Sequence, residues 1–161
     1  MIANVRTPVL YLDTSVLGGY FDEEWKEATQ ELWRQMELGL WHFVSSEVIV
    51  KEIQGAPEQV RQLFVKAFPP EILVEVTDEM EDLAAAYVKH GVVPPKYQDD
   101  ALHVAACTIA RIDHLVSWNF RHLVNVKRET GFNAVNLLQG YKTIRIVNPL
   151  ELIYGPENQD V

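Results

Sequence analysis

Four polar residues stand where apolar segments begin or end: Asp13, Glu52, Asp100 and Asn119. Asp13 follows the strand-forming run Val9 to Leu12, and Asn119 lies just past the apolar run Leu115, Val116, Ser117. Asp100 opens a mostly apolar helix. Glu52 sits beside Ile53, three and four residues after Ile49 and Val48, on or next to an apolar stripe where a solvated carboxylate is unusual. No lysine or arginine is an obvious partner for Asp13, Glu52 and Asp100. A hard divalent cation suits them better, because Mg²⁺ and Mn²⁺ prefer oxygen ligands and keep part of their water. Such an ion lowers the pKa of a bound water, orients it for in-line attack and stabilises charge on phosphoryl oxygens, which is the chemistry of phosphodiester hydrolysis. In that scheme Asp13 and Asp100 bind the metal directly, Glu52 binds through water or acts on the attacking water, and Asn119 completes the shell.

The elements must bring these residues together. Ala101, Leu102, Ala105, Ala106, Ile109 and Ala110 recur at helical spacing, and Pro94 and Pro95 stop anything earlier from continuing into them. The run Leu115 to Ser117 reads as a strand buried on both faces. A helix leading into a parallel strand runs antiparallel to it, so Asp100 and Asn119 are expected at one edge of the sheet. That is the edge where open α/β sheets bind ligands. Val9 to Leu12 reads as a central parallel strand with Asp13 at its carboxyl end, followed by a chain loosened at Gly18 and Gly19. A helix is expected from about Glu23 to Leu38 with Trp25, Thr29, Leu32 and Met36 inward, stopped by Gly39. Trp41 to Val44 gives a second strand, and Ser45 or Ser46 caps a helix ending near Gln54. Pro57 opens another helix. Ile72 to Val76 forms a third strand, Thr77 caps a helix ending at Gly91, residues 121–138 are partly helical, and Thr143 to Val147 makes a fifth strand. Strands alternating with helices indicate one α/β domain with a parallel sheet covered on both faces, spanning residues 1–155. The polar residues 156–161 are expected to form a loose C-terminal tail.

Each candidate also has a plainer reading. Asp13 suits a turn or a helix cap, Glu52 a salt bridge and Asn119 a turn. Asp99 is the better cap for the helix after Tyr97, leaving Asp100 as the better ligand. Asp99 then adds charge from behind. Thr14, Ser15 and Ser117 carry hydroxyls suited to orienting carboxylates, contacting phosphate or capping helices. His103, one turn past Asp100, shares its face and is placed to contact substrate, carry a proton or hydrogen-bond Asp100 or backbone. Arg121 and His122 follow Asn119 and are the local candidates for phosphate contact, against a solvated helix start. Lys51, Lys96, Lys127 and Arg128 are candidates for a basic rim. The convergence of all four polar residues on one edge favours a metal site over four separate accidents.

At 161 residues the chain is long enough for a real core. A net charge of −9 argues against general attraction to nucleic acid or anionic membrane, but a bound cation reverses the sign locally. No run reaches the roughly 18 apolar residues of a membrane span. Arg6 is the first basic residue and no signal-type apolar run accompanies it, so the expected location is cytoplasmic. The single Cys107 excludes an internal disulfide and reads as a small core residue.

The segments YLDTSVL at 11–17, SSEVIVKEI at 45–53, DDALHVA at 99–105 and LVSWNFRHL at 115–123 resemble the PIN domain. The last two resemble most the toxins of VapBC-type toxin–antitoxin pairs, and the resemblance covers about residues 9–150. It implies a three-layer α/β/α fold with a parallel five-stranded sheet of order 3-2-1-4-5. It also implies metal-dependent endonucleolytic cleavage of RNA, a Mg²⁺ or Mn²⁺ cofactor, a homodimer, an antitoxin partner and no membrane. By position, the family's acidic quartet becomes Asp13, Glu52, Asp100 and Asn119. The fourth departs from the aspartate common in the family and loses a charge, so a second metal would be held more weakly. A second reading is a PIN-like module that binds RNA or protein without cutting. A third, a phosphatase of the haloacid dehalogenase type with Asp13 as nucleophile, would need an aspartate two residues on, where this chain has Ser15.

Overall fold

Val9–Leu12 (β1) is the middle of the structure because three of its four residues are fully enclosed: Leu10, Tyr11 and Leu12 have no exposed surface. The computed structural model describes residues 6–153. After β1 come Thr14–Gly19 (α1), Lys26–Glu37 (α2), His42–Ser46 (β2), Glu47–Ile53 (α3), Glu58–Ala67 (α4) and Leu73–Val74 (β3). Then follow Asp78–Lys89 (α5), Gln98–Ile109 (α6), His114–Val116 (β4), Val126–Leu138 (α7), Arg145–Val147 (β5) and Pro149–Ile153 (α8). The five strands form one all-parallel sheet in the order β3-β2-β1-β4-β5, as expected.

Strand alternation sorts the core into two layers. Leu10 and Leu12 point into a cluster with Val116, Val147, Leu17, Leu32, Trp33 and Ile49. Tyr11 points the other way, into a cluster with Leu115, Ile146, Leu83, Ala105, Leu123 and Phe132. Each fully buried Leu or Val side chain contributes about 1.5–3 kcal/mol relative to exposure, so both faces of β1 are strongly specified. Cys107 lies in the second cluster, fully buried, as a small core residue. Among the described residues no helix is long and apolar enough to cross a membrane.

Several local expectations are corrected. Gly18 and Gly19 do not loosen the chain but close α1, with Asp13 as its cap. Gly19 is needed there for space, since a Cβ would lie 2.5 Å from both Cδ1 and Nε1 of Trp118. Asp99 is not the cap of α6: that position falls to Tyr97, with no side-chain cap bond, and Asp99 is an exposed first-turn residue. Thr29 and Leu32 are fully buried and Trp25 and Met36 pack half-buried against the core, as expected, with Ala28 and Trp33 added to the inner face of α2. The third strand shrinks to Leu73–Val74 because a 3-10 turn at Pro70–Ile72 consumes Ile72. The stretch 121–138 is partly helical, as expected: 121–125 form turns and bends, and α7 begins at Val126, capped by the Asn125 side chain. The helix α8 was not expected. The tail expected at 156–161 lies outside the described residues.

Candidate metal and phosphate site

The carboxyl edge of β1 is held by hydroxyls. Asp13 caps α1, and its Oδ1 accepts from the Ser15 amide at 3.1 Å and the Ser15 hydroxyl at 2.6 Å. Its Oδ2 accepts from the Ser117 hydroxyl at 2.6 Å. Ser117 follows β4, so one strand end orients the acid of its neighbour. The Trp118 amide donates to Ser15 Oγ at 2.8 Å, and the Asn119 amide donates to Ser117 Oγ at 2.9 Å. The same loop is anchored by Trp118, which stacks on Trp25 at 4.3 Å and donates from Nε1 to Thr29 Oγ1 at 2.9 Å. Thr14, Ser15 and Ser117 therefore act on carboxylates or on the adjoining backbone.

Glu52 arrives on α3, which is capped by Ser46, the last residue of β2. Its Oε1 accepts from Thr14 Oγ1 at 2.9 Å and lies 2.5 Å from His103 Nε2. His103, 1% exposed, comes from α6. Its other nitrogen, Nδ1, is 2.6 Å from the Tyr11 hydroxyl, which is in turn 2.6 Å from Ser46 Oγ. Burial alone would lower the His103 pKa, but the hydrogen bond and charge of Glu52 outweigh it and raise the value. Burial would likewise raise Glu52, and the bond and charge of His103 reverse that and lower it. Both directions favour imidazolium beside carboxylate. The imidazolium then donates to Glu52 and to Tyr11, and Tyr11 donates to Ser46. His103 thus faces Glu52 and Tyr11 rather than hydrogen-bonding Asp100.

Asp100 sits in the first turn of α6, half-buried. Among the described residues its carboxylate forms no hydrogen bond or ion pair. Desolvation, then the charge of Asp13, pushes its pKa up to about 6, with Glu52 and Asp99 adding to the rise and His103 opposing it. Asp13 is raised too, by its own burial above all, against His103, Ser117 and Ser15. Asp13, Glu52 and Asp100 lie within one another's fields, with His103 as the cation among them. Asn119, half-buried, uses Oδ1 to accept the His122 amide at 2.9 Å.

Among the described residues no three His, Cys, Asp or Glu side chains already close around a point where an ion would sit. The donors explain this, since Glu52 Oε1 is engaged by His103 and Thr14, and Asn119 Oδ1 by a backbone amide. The donor chemistry nevertheless fits Mg²⁺ or Mn²⁺: carboxylate oxygens dominate, and the least committed of them, on Asp100, is partly desolvated and raised by its acidic neighbours.

Two further residues join the site: Tyr11 and, in a second role, Ser46. Tyr11 stands two residues before Asp13, and strand periodicity puts both on the same face, so its approach to His103 was foreseeable. Nothing in the spacing showed that Ser46, a helix cap, would also receive the Tyr11 hydroxyl. Set against known proteins, the chain matches no protein-family model, no curated protein and no solved structure.

Proposed function

We propose that the protein is a metal-dependent endoribonuclease of PIN type, acting in the cytoplasm as the toxin of a toxin–antitoxin pair. The observation that carries this reading is the group of mutually interacting carboxylates at the carboxyl edge of β1, in which Asp100 has no hydrogen-bond or ion-pair partner among the described residues while both oxygens of Asp13 are fixed. The resemblance of the four segments to the PIN domain supports the substrate and the toxin assignment, and with them a homodimer and an antitoxin protein as partners.

A Mg²⁺ or Mn²⁺ ion bound here would supply a nucleophilic water at neutral pH and stabilise phosphoryl charge. Asp13 and Asp100 would hold it, with Glu52 reaching it through water. Ser15 and Ser117 fix the rotamer of Asp13, so that carboxylate is oriented before any ligand arrives. His103 and Thr14 hold Glu52 in place, and His103 balances part of its charge. Asn119 presents no charge and ties the loop after β4 to His122. One observation favours the alternative, a PIN-like module that binds RNA or protein without cutting: Asn119 spends its oxygen on a backbone amide.

The test is incubation of purified protein with mixed single-stranded and structured RNAs in Mn²⁺, Mg²⁺ or EDTA, beside Asp13→Asn and Asp100→Asn. Cutting that needs metal and is lost in both variants supports the nuclease. A folded protein that binds these RNAs and cuts none in either metal supports the binding module.

A further inference from the structure

Next to the carboxylates lies a group of the opposite charge. Tyr97, the residue that starts α6, packs against His122 with ring centroids 3.7 Å apart, and Lys96 Nζ lies 5.1 Å over the Tyr97 ring. Arg121 directly precedes His122, and Arg128 lines a groove with Pro94 and Pro95, which lead into Lys96, so the three cations gather around this ring pair. His122 Nδ1 is buried without a hydrogen-bond partner among the described residues. Lys96, Arg121 and Arg128 form no ion pair among the described residues, which is also true of Lys51, Lys66, Lys89, Lys127 and Lys142; what sets the three apart is that they lie together. In a chain of net charge −9, a knot of unpaired cations is short of an anion.

The two groups are physically joined. Asp13 accepts from Ser117, Ser117 accepts from the Asn119 amide, and Asn119 accepts from the His122 amide. Tyr97 takes the cap position of α6, and Asp100 lies in its first turn. Beyond Arg128, a groove of about 470 Å³ continues past Lys127 to His90. A carboxylate group wanting a cation and a cationic group wanting an anion, linked by one loop, complement a phosphodiester better than they complement each other.

We propose that Lys96, Arg121 and Arg128, held around the Tyr97–His122 pair, bind the backbone phosphates of a single-stranded RNA entering the carboxylate site. The strand continues along the Lys127 groove. This assignment rests on the ribonuclease reading for the identity of the strand. Base stacking on Tyr97 is not part of it, because Lys96 and His122 already pack on that ring.

The experiment is fluorescence anisotropy with a labelled short single-stranded RNA of mixed sequence, in EDTA and over a range of salt. It compares the parent chain, Lys96→Ala, the Arg121→Ala/Arg128→Ala double variant, and Arg61→Ala/Lys66→Ala on α4 as a distant control. The double variant should weaken binding and flatten the salt dependence by about 1.4 in log–log slope, from roughly 0.7 per phosphate contact on a single strand. Lys96→Ala should lose about half as much, and the control should match the parent. Thermal melts of every variant exclude unfolding as the cause. Equal slopes in parent and double variant, equal losses in the control, or no RNA binding by the parent at low salt would each overturn the proposal. The two readings fail separately. RNA bound through these residues but never cut with Mn²⁺ keeps the phosphate track and removes the nuclease. Cutting with an unchanged KM in the double variant keeps the nuclease and removes the track.

Discussion

Asp100 shows most directly what a single residue contributes. An aspartate titrates near 3.9 in an unfolded chain and at about 6 here, so the folded state binds the proton more tightly. Stability therefore falls as pH rises from about 4 to 6 and stays lower above that range. The full shift would correspond to about 3 kcal/mol, and solvent screening of a half-buried group reduces it to roughly 1–2 kcal/mol. Asp100→Asn should raise Tm at pH 7.5 and lose that advantage at pH 4, as paired thermal melts would show. An Asp100→Asn protein no more stable than the parent at pH 7.5 would mean that the carboxylate is not strained by its neighbours. His103 has the opposite sign. Its raised pKa contributes stability below about 6.5 that fades as pH rises through the folded value. Tyr11→Phe leaves the buried Nδ1–H of His103 without its acceptor, so it should cost about 1–3 kcal/mol in denaturant unfolding with an unchanged m-value. The candidate acids were legible in the sequence because each interrupts an apolar pattern. The pairing of His103 with Glu52 was not, because it joins residues 51 positions apart through a contact that helix periodicity does not encode.

At the scale of elements, α1 and the loop after β4 are made for each other. Gly19 leaves room for Trp118, which donates to Thr29 and stacks on Trp25, and the next residue is Asn119. Gly19→Ala should destabilise the fold by roughly 1–3 kcal/mol, because the added Cβ overlaps an indole held on several sides. The tryptophan fluorescence spectrum should shift with it, and an unchanged spectrum and stability would show that the loop yields freely. The reading of two adjacent glycines as a break was reasonable from propensity and wrong in place, since tertiary packing needed one of them inside a helix. Residues 121–138 are helical in part, as expected, and the side chains of Asn119 and Asn125 decide which part: they accept backbone amides three residues on and set a turn and then a helix start. By contrast, β1, α3, α5 and α6 were legible in kind, because each has a strong apolar period bounded by Pro, Gly, Ser or Thr.

For the whole molecule, the decisive feature is strand order. With β1 between β2 and β4, the ends of β1 and β4 and the helices α3 and α6 meet at one edge, and residues 13, 52, 100 and 119 meet there with them. The shared edge was expected from the alternation of strands and helices, and the strand order from the resemblance to the PIN domain. What did not follow was the state of the donors, because hydrogen bonds from Thr14, Ser15, Ser117 and His103 depend on side-chain distances that spacing leaves open. These acids are expected to form a cation site, and calorimetric titration of the protein with Mn²⁺ at pH 7.5 tests that before any RNA is chosen. The parent should bind Mn²⁺ and gain Tm from it, while Asp13→Asn and Asp100→Asn should remain folded and bind at least tenfold more weakly. Equal Mn²⁺ affinity in the parent and both variants, or a folded parent that binds none, would contradict it.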